Sequence, residues 1–571
     1  MQTGNYVLVL HTHLPWVLHH GSWPHGEDWL TEAAAECYIP LLNVFNDLLN
    51  HGILPKVTID ISPILCEQLE HPDFKIIFDK YCNDKILSAI NDERNFTDWG
   101  YDPHHIWLAN YWQNWYRDRL NDFVHKYDSS IIKGLKKLQD EGAIEIMTCG
   151  LTHGYLPLLP TDNSVDLQVH AAAVNYKKHF GRDPKGIWLP ECAYRPTYDW
   201  HSMIPVYPYH EPKLRPGIEQ ILSKYNIDYF ITDEDLLKRS GAIGKYQDFP
   251  DKTFYPTYSD QLIKNQHDFS KSPLEINHIS SSDKVEYGTA MAFTRYHDIS
   301  MQVWSGLVGY PGEPDYLDFH KKHLGSMLRY WRVTDAKSDM MYKTLYHPDW
   351  TKDKIDKQSN HFIHHIENSL NWNNRSTQRF GTLCTPFDTE LFGHWWFEGP
   401  EFIKAVLKGI SNSPYVKTAT CSEQIIRTKP TEIVSLPEGS WGKNNNHDVW
   451  MNDDNKWTWE VIYNNENRFK EYHQKYATSS DPIIIDMMTQ ALRELTLLES
   501  SDWQFLIFTE SAKDYAEQRF SYHHSDFNKL LDLCDKMNET KNLSANEQQY
   551  FESTKQRNCP FQELKLDWWK H

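Results

Sequence analysis

The tightest constraint in this chain is a short apolar run that stops at a carboxylate. Residues 184–189 are bounded by Pro and Gly and lead to Glu191 within Gly186-Ile-Trp-Leu-Pro-Glu-Cys-Ala-Tyr-Arg-Pro196, the pattern of a buried strand with an acid at its end. An unpaired buried charge is costly. Glu191, flanked by Trp188, Tyr194 and Arg195, is therefore either aimed at a ligand or paired with Arg195. The pattern returns at residues 381–387, where a strand-like run ends in Asp388 and continues through Thr389-Glu-Leu-Phe-Gly-His-Trp-Trp-Phe-Glu-Gly-Pro400. Further runs at 6–10, 56–61, 143–148, 226–230 and 290–293 bring the strand candidates to six or seven. They suit an α/β sheet and by themselves do not separate a barrel from a doubly wound sheet.

Several of these runs deliver polar side chains. The run at 6–10 leads to His11 and His13, two apart and on one face if the strand continues. They read as hydrogen-bonding groups on the floor of a cleft, as a metal site of the His-x-His kind, or as core histidines. The run at 143–148 leads to Gly150, which lets the backbone pass close to a neighbour, and to His153. Past 226–230, Asp233 or Glu234 lines a cleft, or Asp233 caps a helix. His361 and His365 are i, i+4 on a helical pattern and could bind a metal, but no acidic cluster accompanies them and an ordinary helix surface is favoured. Residues 241–288 are polar and weakly periodic, and a connection of that length is usually functional.

Composition narrows the partners. The 58 basic and 78 acidic side chains leave a formal charge of -20, which argues against nucleic acid or an anionic membrane. Twenty-two Trp and an aromatic content of 14% suit a large core and a sugar-binding cleft. The N-terminal apolar run is too short and too poorly flanked for a signal peptide, and no stretch approaches a membrane span. Nine irregularly spaced Cys without a Cys-x-x-Cys pair argue against disulfides and structural zinc. The expectation is a cytoplasmic protein without cofactor or metal. Residues 73–138 read as a helical excursion. Ile483, Met487, Ala491, Leu495 and Leu498 form a core-facing helical stripe, Trp457 and Trp459 read as packing, and the tail beyond about 530 reads as charged and weakly helical.

Two strand-end carboxylates among Trp, Tyr and His are what glycoside cleavage needs: one acid to protonate the leaving oxygen, one carboxylate to attack or to activate water. Together with His11-Thr-His-Leu-Pro-Trp16 and Glu145-Ile-Met-Thr-Cys-Gly-Leu-Thr-His-Gly-Tyr-Leu-Pro157, these stretches resemble glycoside hydrolase family 57, and within it the 1,4-alpha-glucan branching enzymes. The resemblance runs in motif order from Tyr6 to about Phe520. It implies an incomplete (β/α)7 TIM-like barrel over residues 1–400, with the helical insertion at about 73–138, a long loop at about 241–288, and an α-helical C-terminal domain over 401–571 that contributes to the cleft.

The resemblance also implies chemistry. Glu191 would be the nucleophile and Asp388 the acid/base of a retaining reaction on an alpha-glucan such as amylose, glycogen or a starch-like polymer, the cleaved chain passing to a 6-hydroxyl as an alpha-1,6 branch. Substrate contacts are implied for His11, His13, Trp29, His153, Arg295, Trp304, Trp395, Trp441, Trp450 and Asp502. Tyr246, Tyr255 or Tyr258 would close over the cleft. Trp16 and Trp23 share a loop-like segment with Trp29, and each of the three reads either as a glucan contact or as a structural aromatic. The alternatives are an alpha-amylase or 4-alpha-glucanotransferase of the same family and, from other classes, a non-catalytic glucan-binding protein or a metal-dependent deacetylase.

Overall fold

The computed structural model describes residues 1–569 except 23, 246–270, 282–287, 336 and 431. Trp23, Tyr246, Tyr255 and Tyr258 therefore lie outside the described residues.

Seven parallel strands form the centre: β1 Gly4–Thr12, β2 Val57–Ile61, β3 Ile144–Cys149, β4 Gly186–Trp188, β5 Tyr229–Thr232, β6 Ala290–Thr294 and β7 Gly381–Asp388. Their order is β7-β1-β2-β3-β4-β5-β6, and each neighbouring pair runs parallel. Every residue of β1 is buried, and β7 is buried up to Asp388. Strands covered on both faces read as continuous apolar runs, which is why they were legible in the sequence. Among the glycines of these strands the closest approach is at Gly186, where a Cβ would lie 2.1 Å from the Tyr229 ring.

The ring is joined at its seam by one bridge, Arg295 to Cys384, with the Tyr296 N–H donating to the Cys384 carbonyl at 2.8 Å. The reason lies in β6. Its residues 290–292 pair antiparallel with Asn277–Ile279, and the sheet continues from there through Glu432–Ser435 to Gly241–Lys245. That edge is occupied, so only the end of β6 reaches β7. The expected long connection at 241–288 thus has strands near both ends. The run at 226–230 also starts later than its apolar pattern suggests: Asn226 is left-handed (φ 55°) and β5 begins at Tyr229.

Helices cover the ring. Pro72–Asp98 and Pro103–Asn121 lie between β2 and β3, the second opened by Asp102, whose side chain accepts from the His104 N–H. Beyond residue 400, Val416–Thr418 adds a parallel strand to β1, and the chain then builds Lys456–Tyr476, Pro482–Leu498, Asp502–Thr509, Lys513–Thr540 and Ala545–Arg557. In Pro482–Leu498 the stripe is buried except at Ile483, which is exposed while Ile484 takes the inward position. The tail is more ordered than its charge suggests. Leu530, Leu531, Leu533 and Cys534 are buried, Ser544 and Glu547 make a reciprocal capping box, and Trp569 is fully buried against Phe469 at 5.0 Å. All nine cysteines are unpaired. Among the described residues no helix is long and apolar enough to cross a membrane.

Candidate active site

Strand register builds the site. His11 on β1 is level with Asp388 on β7 and with Asp60 on β2, so three titratable side chains share one rung at the strand ends. After β4 the backbone reverses through two consecutive left-handed residues, Glu191 (φ 62°) and Cys192 (φ 48°). Non-glycine residues held in that region cost on the order of 1–3 kcal/mol each and gather at functional sites.

The reversal sets the Glu191 carboxylate between two donors: the Trp441 indole N–H reaches Oε2 at 3.0 Å and the Ser501 hydroxyl reaches Oε1 at 3.1 Å. Arg195 is buried and faces Asp162 at 3.5 Å, so pairing with Arg195 does not explain Glu191. Both carboxylates line one cleft of about 540 Å³ together with His11, His13, His153, Arg295, Trp304, Trp441, Trp450 and Asp502.

Electrostatics separate the acids. Burial pushes Glu191 up to about 7, helped by the charges of Asp388 and Asp502 and opposed by the hydrogen bonds from Trp441 and Ser501. Burial, with Glu390 adding to it and Arg295 opposing, pushes Asp388 up to about 8. Asp502 goes the other way. Against the upward push of burial, His13 and His153 hold it down to about 2, and it takes the His13 Nε2 hydrogen bond at 2.9 Å.

The three histidines form a stacked block. His13 lies on His153 at 3.9 Å, and His11 lies on Trp188 at 4.5 Å. His13, His153 and Asp502, and separately His11, Cys149 and His153, bring ligand-type atoms within 4.8 Å of one another. Every ring nitrogen of the block already has a protein partner: Asp60 and His153 for His11, Ser62 and Asp502 for His13, Ser501 and His11 for His153. A metal could bind only by displacing these. His361 and His365 meet at 3.0 Å on an exposed helix face, outside the cleft.

Other expected residues fall at different distances from the chemistry. Arg295 is anchored by Asp233 at 2.7 Å and lies 5.8 Å from the centre of the Trp441 ring, while Asp233 also caps the following helix by accepting from the Asp235 N–H. Trp304 stands edge-on to Trp441 at 5.7 Å. Trp450 stacks on Tyr155 and is only 1% exposed. Trp395 lines an adjoining groove of about 600 Å³ that shares Met301 and Trp304 with the cleft. Trp29 packs on His25 and Tyr515 and lines neither. Trp16 is core.

Sequence reading missed Asp60, Glu390 and Ser501. Glu390 lines the cleft two residues after Asp388, takes the Tyr38 hydroxyl at 2.7 Å and is pushed by burial to about 7. The signal for Asp60 was present, a carboxylate inside the apolar run Val57-Thr-Ile-Asp-Ile61. Ser501 had none.

A seven-stranded parallel ring with two partly buried carboxylates at its strand ends, both raised toward neutral pH and facing an aromatic-walled cleft, defines a glycoside-cleaving enzyme. Comparison with known proteins agrees: the glycosyl hydrolase family 57 model matches residues 7–437, and a model described as 1,4-alpha-glucan branching enzyme, C-terminal, matches 461–569. The chain belongs to glycoside hydrolase family 57. It is 36% identical over 528 residues to a 1,4-alpha-glucan branching enzyme of Thermococcus kodakarensis, covering 92% of this chain and 73% of that one. The crystal structure of the family-57 branching enzyme from Pyrococcus horikoshii aligns at a TM-score of 0.87 with 34% identity, covering 100% and 97% of the two chains. The alpha-amylase AmyC of Thermotoga maritima aligns at 0.79 with 27% identity, covering 100% and 99%.

Proposed function

We propose that this protein is a 1,4-alpha-glucan branching enzyme in which Glu191 is the nucleophile and Asp388 the acid/base. The observation that carries the reading is the pair itself: two partly buried carboxylates on one cleft, with Glu191 oriented by two donors and burial raising both, Glu191 to about 7 and Asp388 to about 8. Carboxyls raised into that range can share the two roles near neutral pH, one ionised to attack and the other protonated to donate.

In the first step Glu191 bonds to the anomeric carbon as the glycosidic C–O bond breaks, and the Asp388 proton passes to the departing oxygen. In the second, the 6-hydroxyl of an acceptor chain gives its proton to the Asp388 carboxylate, its oxygen bonds to the anomeric carbon, and the Glu191 ester bond breaks. Arg295 lines the cleft as a hydrogen-bonding group, the stacked rings of His11 and His153 form part of its floor, and Trp304 and Trp441 form its aromatic wall with Trp450 behind them. The two chains need two berths. We assign the acceptor to the groove beyond Trp304, where Phe319 stacks on Trp395 at 4.4 Å and leaves it 53% exposed.

Incubation with amylose, followed by isoamylase debranching and a reducing-end assay, tests the reading. Isoamylase-sensitive branches with few new reducing ends are expected. The likeness to an alpha-amylase keeps a second reading in view, in which water takes the intermediate; new reducing ends without branches would favour it.

A further inference from the structure

A single file of hydrogen bonds joins the buried carboxyl of Asp60 to Glu191. Asp60 Oδ2 meets His11 Nδ1 at 2.5 Å, His11 Nε2 meets His153 Nε2 at 3.2 Å, His153 Nδ1 meets the Ser501 hydroxyl at 2.8 Å, and that hydroxyl meets Glu191 Oε1 at 3.1 Å. The file can be read in one direction only when Glu191 is ionised. A carboxylate only accepts, so Ser501 spends its one proton on Glu191 and must accept from His153 Nδ1–H. A neutral His153 then accepts at Nε2, so His11 Nε2 carries a proton and donates. The remaining contact, between His11 Nδ1 and Asp60, must also hold a proton.

That last proton belongs to either the carboxyl or the imidazole. Asp60 and His11 are 0% and 5% exposed, and an ion pair there has to overcome the desolvation of both charges. Asp60 Oδ1 has no hydrogen-bond partner among the described residues, which an ionised carboxylate tolerates far less well than a neutral acid. No Lys or Arg pairs with Asp60 among the described residues. Burial drives both groups toward neutrality, Asp60 well up with Glu390 adding to it, His11 well down with His153 and His13 adding.

We propose that Asp60 is a neutral carboxylic acid and a positioning residue: its proton fixes the tautomers of His11 and His153 and so keeps the Ser501 hydroxyl donating to the nucleophile. The inference rests on Glu191 being the nucleophile of the proposed reaction, but its first test does not. In an infrared difference spectrum of wild type minus Asp60→Asn at neutral pH, the carbonyl band of a protonated carboxylic acid is expected. A carboxylate band in its place overturns the proposal, whatever the enzyme's activity.

The second test is kinetic. Asp60→Asn still offers an N–H to His11 Nδ1, so the acid limb of kcat/KM for donor cleavage should stay within a few tenths of a pH unit of wild type. Asp60→Ala frees His11 and His153 to change tautomer, and Ser501→Ala removes the last donor. Both should move that limb to higher pH by about one unit, the scale of a lost hydrogen bond to a charged group, and the double variant should move it no further. A limb unmoved in Ser501→Ala overturns the link to Glu191, and an Asp60→Asn shift as large as that of Ser501→Ala overturns the neutral acid. Absence of cleavage by the wild-type enzyme overturns the proposed reaction instead, leaving the infrared result to stand.

Discussion

Trp441→Phe isolates one of the two hydrogen bonds that hold the nucleophile. The indole N–H donates to Glu191 Oε2 at 3.0 Å, and a hydrogen bond to a charged group contributes about 1.5–3 kcal/mol. It acts on the ionised form alone, and one pKa unit corresponds to about 1.4 kcal/mol. Its loss should raise Glu191 from about 7 by roughly one to two units. Because Glu191 attacks only when ionised, the acid limb of the rate profile moves to higher pH. At pH 7 cleavage should fall about ten-fold, with much of the loss recovered as pH rises toward the Asp388 limb. The phenyl ring keeps part of the aromatic wall, so KM should change less than kcat/KM at low pH. Initial rates on a chromogenic maltooligosaccharide, measured across pH, read the effect. A limb that stays put or moves to lower pH would refute the claim that Trp441 sets the proton affinity of Glu191.

Other substitutions test separate links. Glu191→Gln and Asp388→Asn should each lose at least several hundred-fold in kcat, and Asp388→Asn alone should regain activity on a glycosyl fluoride, whose leaving group needs no proton. The wild-type profile should be bell-shaped, rising as Glu191 ionises near 7 and falling as Asp388 loses its proton near 8; a profile that does not fall on both sides of that interval contradicts the assignment. Trp395→Ala should lower the number of branches formed per bond cleaved by about ten-fold, an acceptor loss of ~1.4 kcal/mol, with Trp395→Phe close to wild type; an unchanged ratio removes the acceptor groove. Trp569→Ala should destabilise the C-terminal helices by about 3–5 kcal/mol, seen as a lower urea midpoint. An unmoved midpoint would mean that the tail does not hold them together.

How much was legible in advance depended on how local the cause was. β1, β3, β4 and β7 were readable because burial on both faces makes a strand apolar throughout, and Glu191 and Asp388 stood out as charges where those runs end. The seam was not readable: Asn277–Ile279 lies between β6 and Glu432–Ser435, and that second pairing joins short segments more than a hundred residues apart. The left-handed turn at Glu191 carries no glycine to announce it. Ser501 became a partner of both His153 and Glu191 only through the docking of the C-terminal helices. Ile483 and Ile484 differ by one position on a helix whose apolar face is broad, so spacing alone chose the wrong one. Trp29 sat in a promising aromatic segment, and its ring is taken up by His25 and Tyr515.

The central claim is that Glu191 forms a covalent bond to the sugar while Asp388 serves the leaving group. The most direct measurement is mass spectrometry of Asp388→Asn after brief exposure to a maltooligosaccharyl fluoride, with the labelled peptide mapped by proteolysis. One glycosyl mass on the peptide carrying Glu191, absent when Glu191→Gln is added, is the predicted result. Turnover without any adduct on that peptide, or an adduct on Glu390 or Asp502 in its place, would contradict the account.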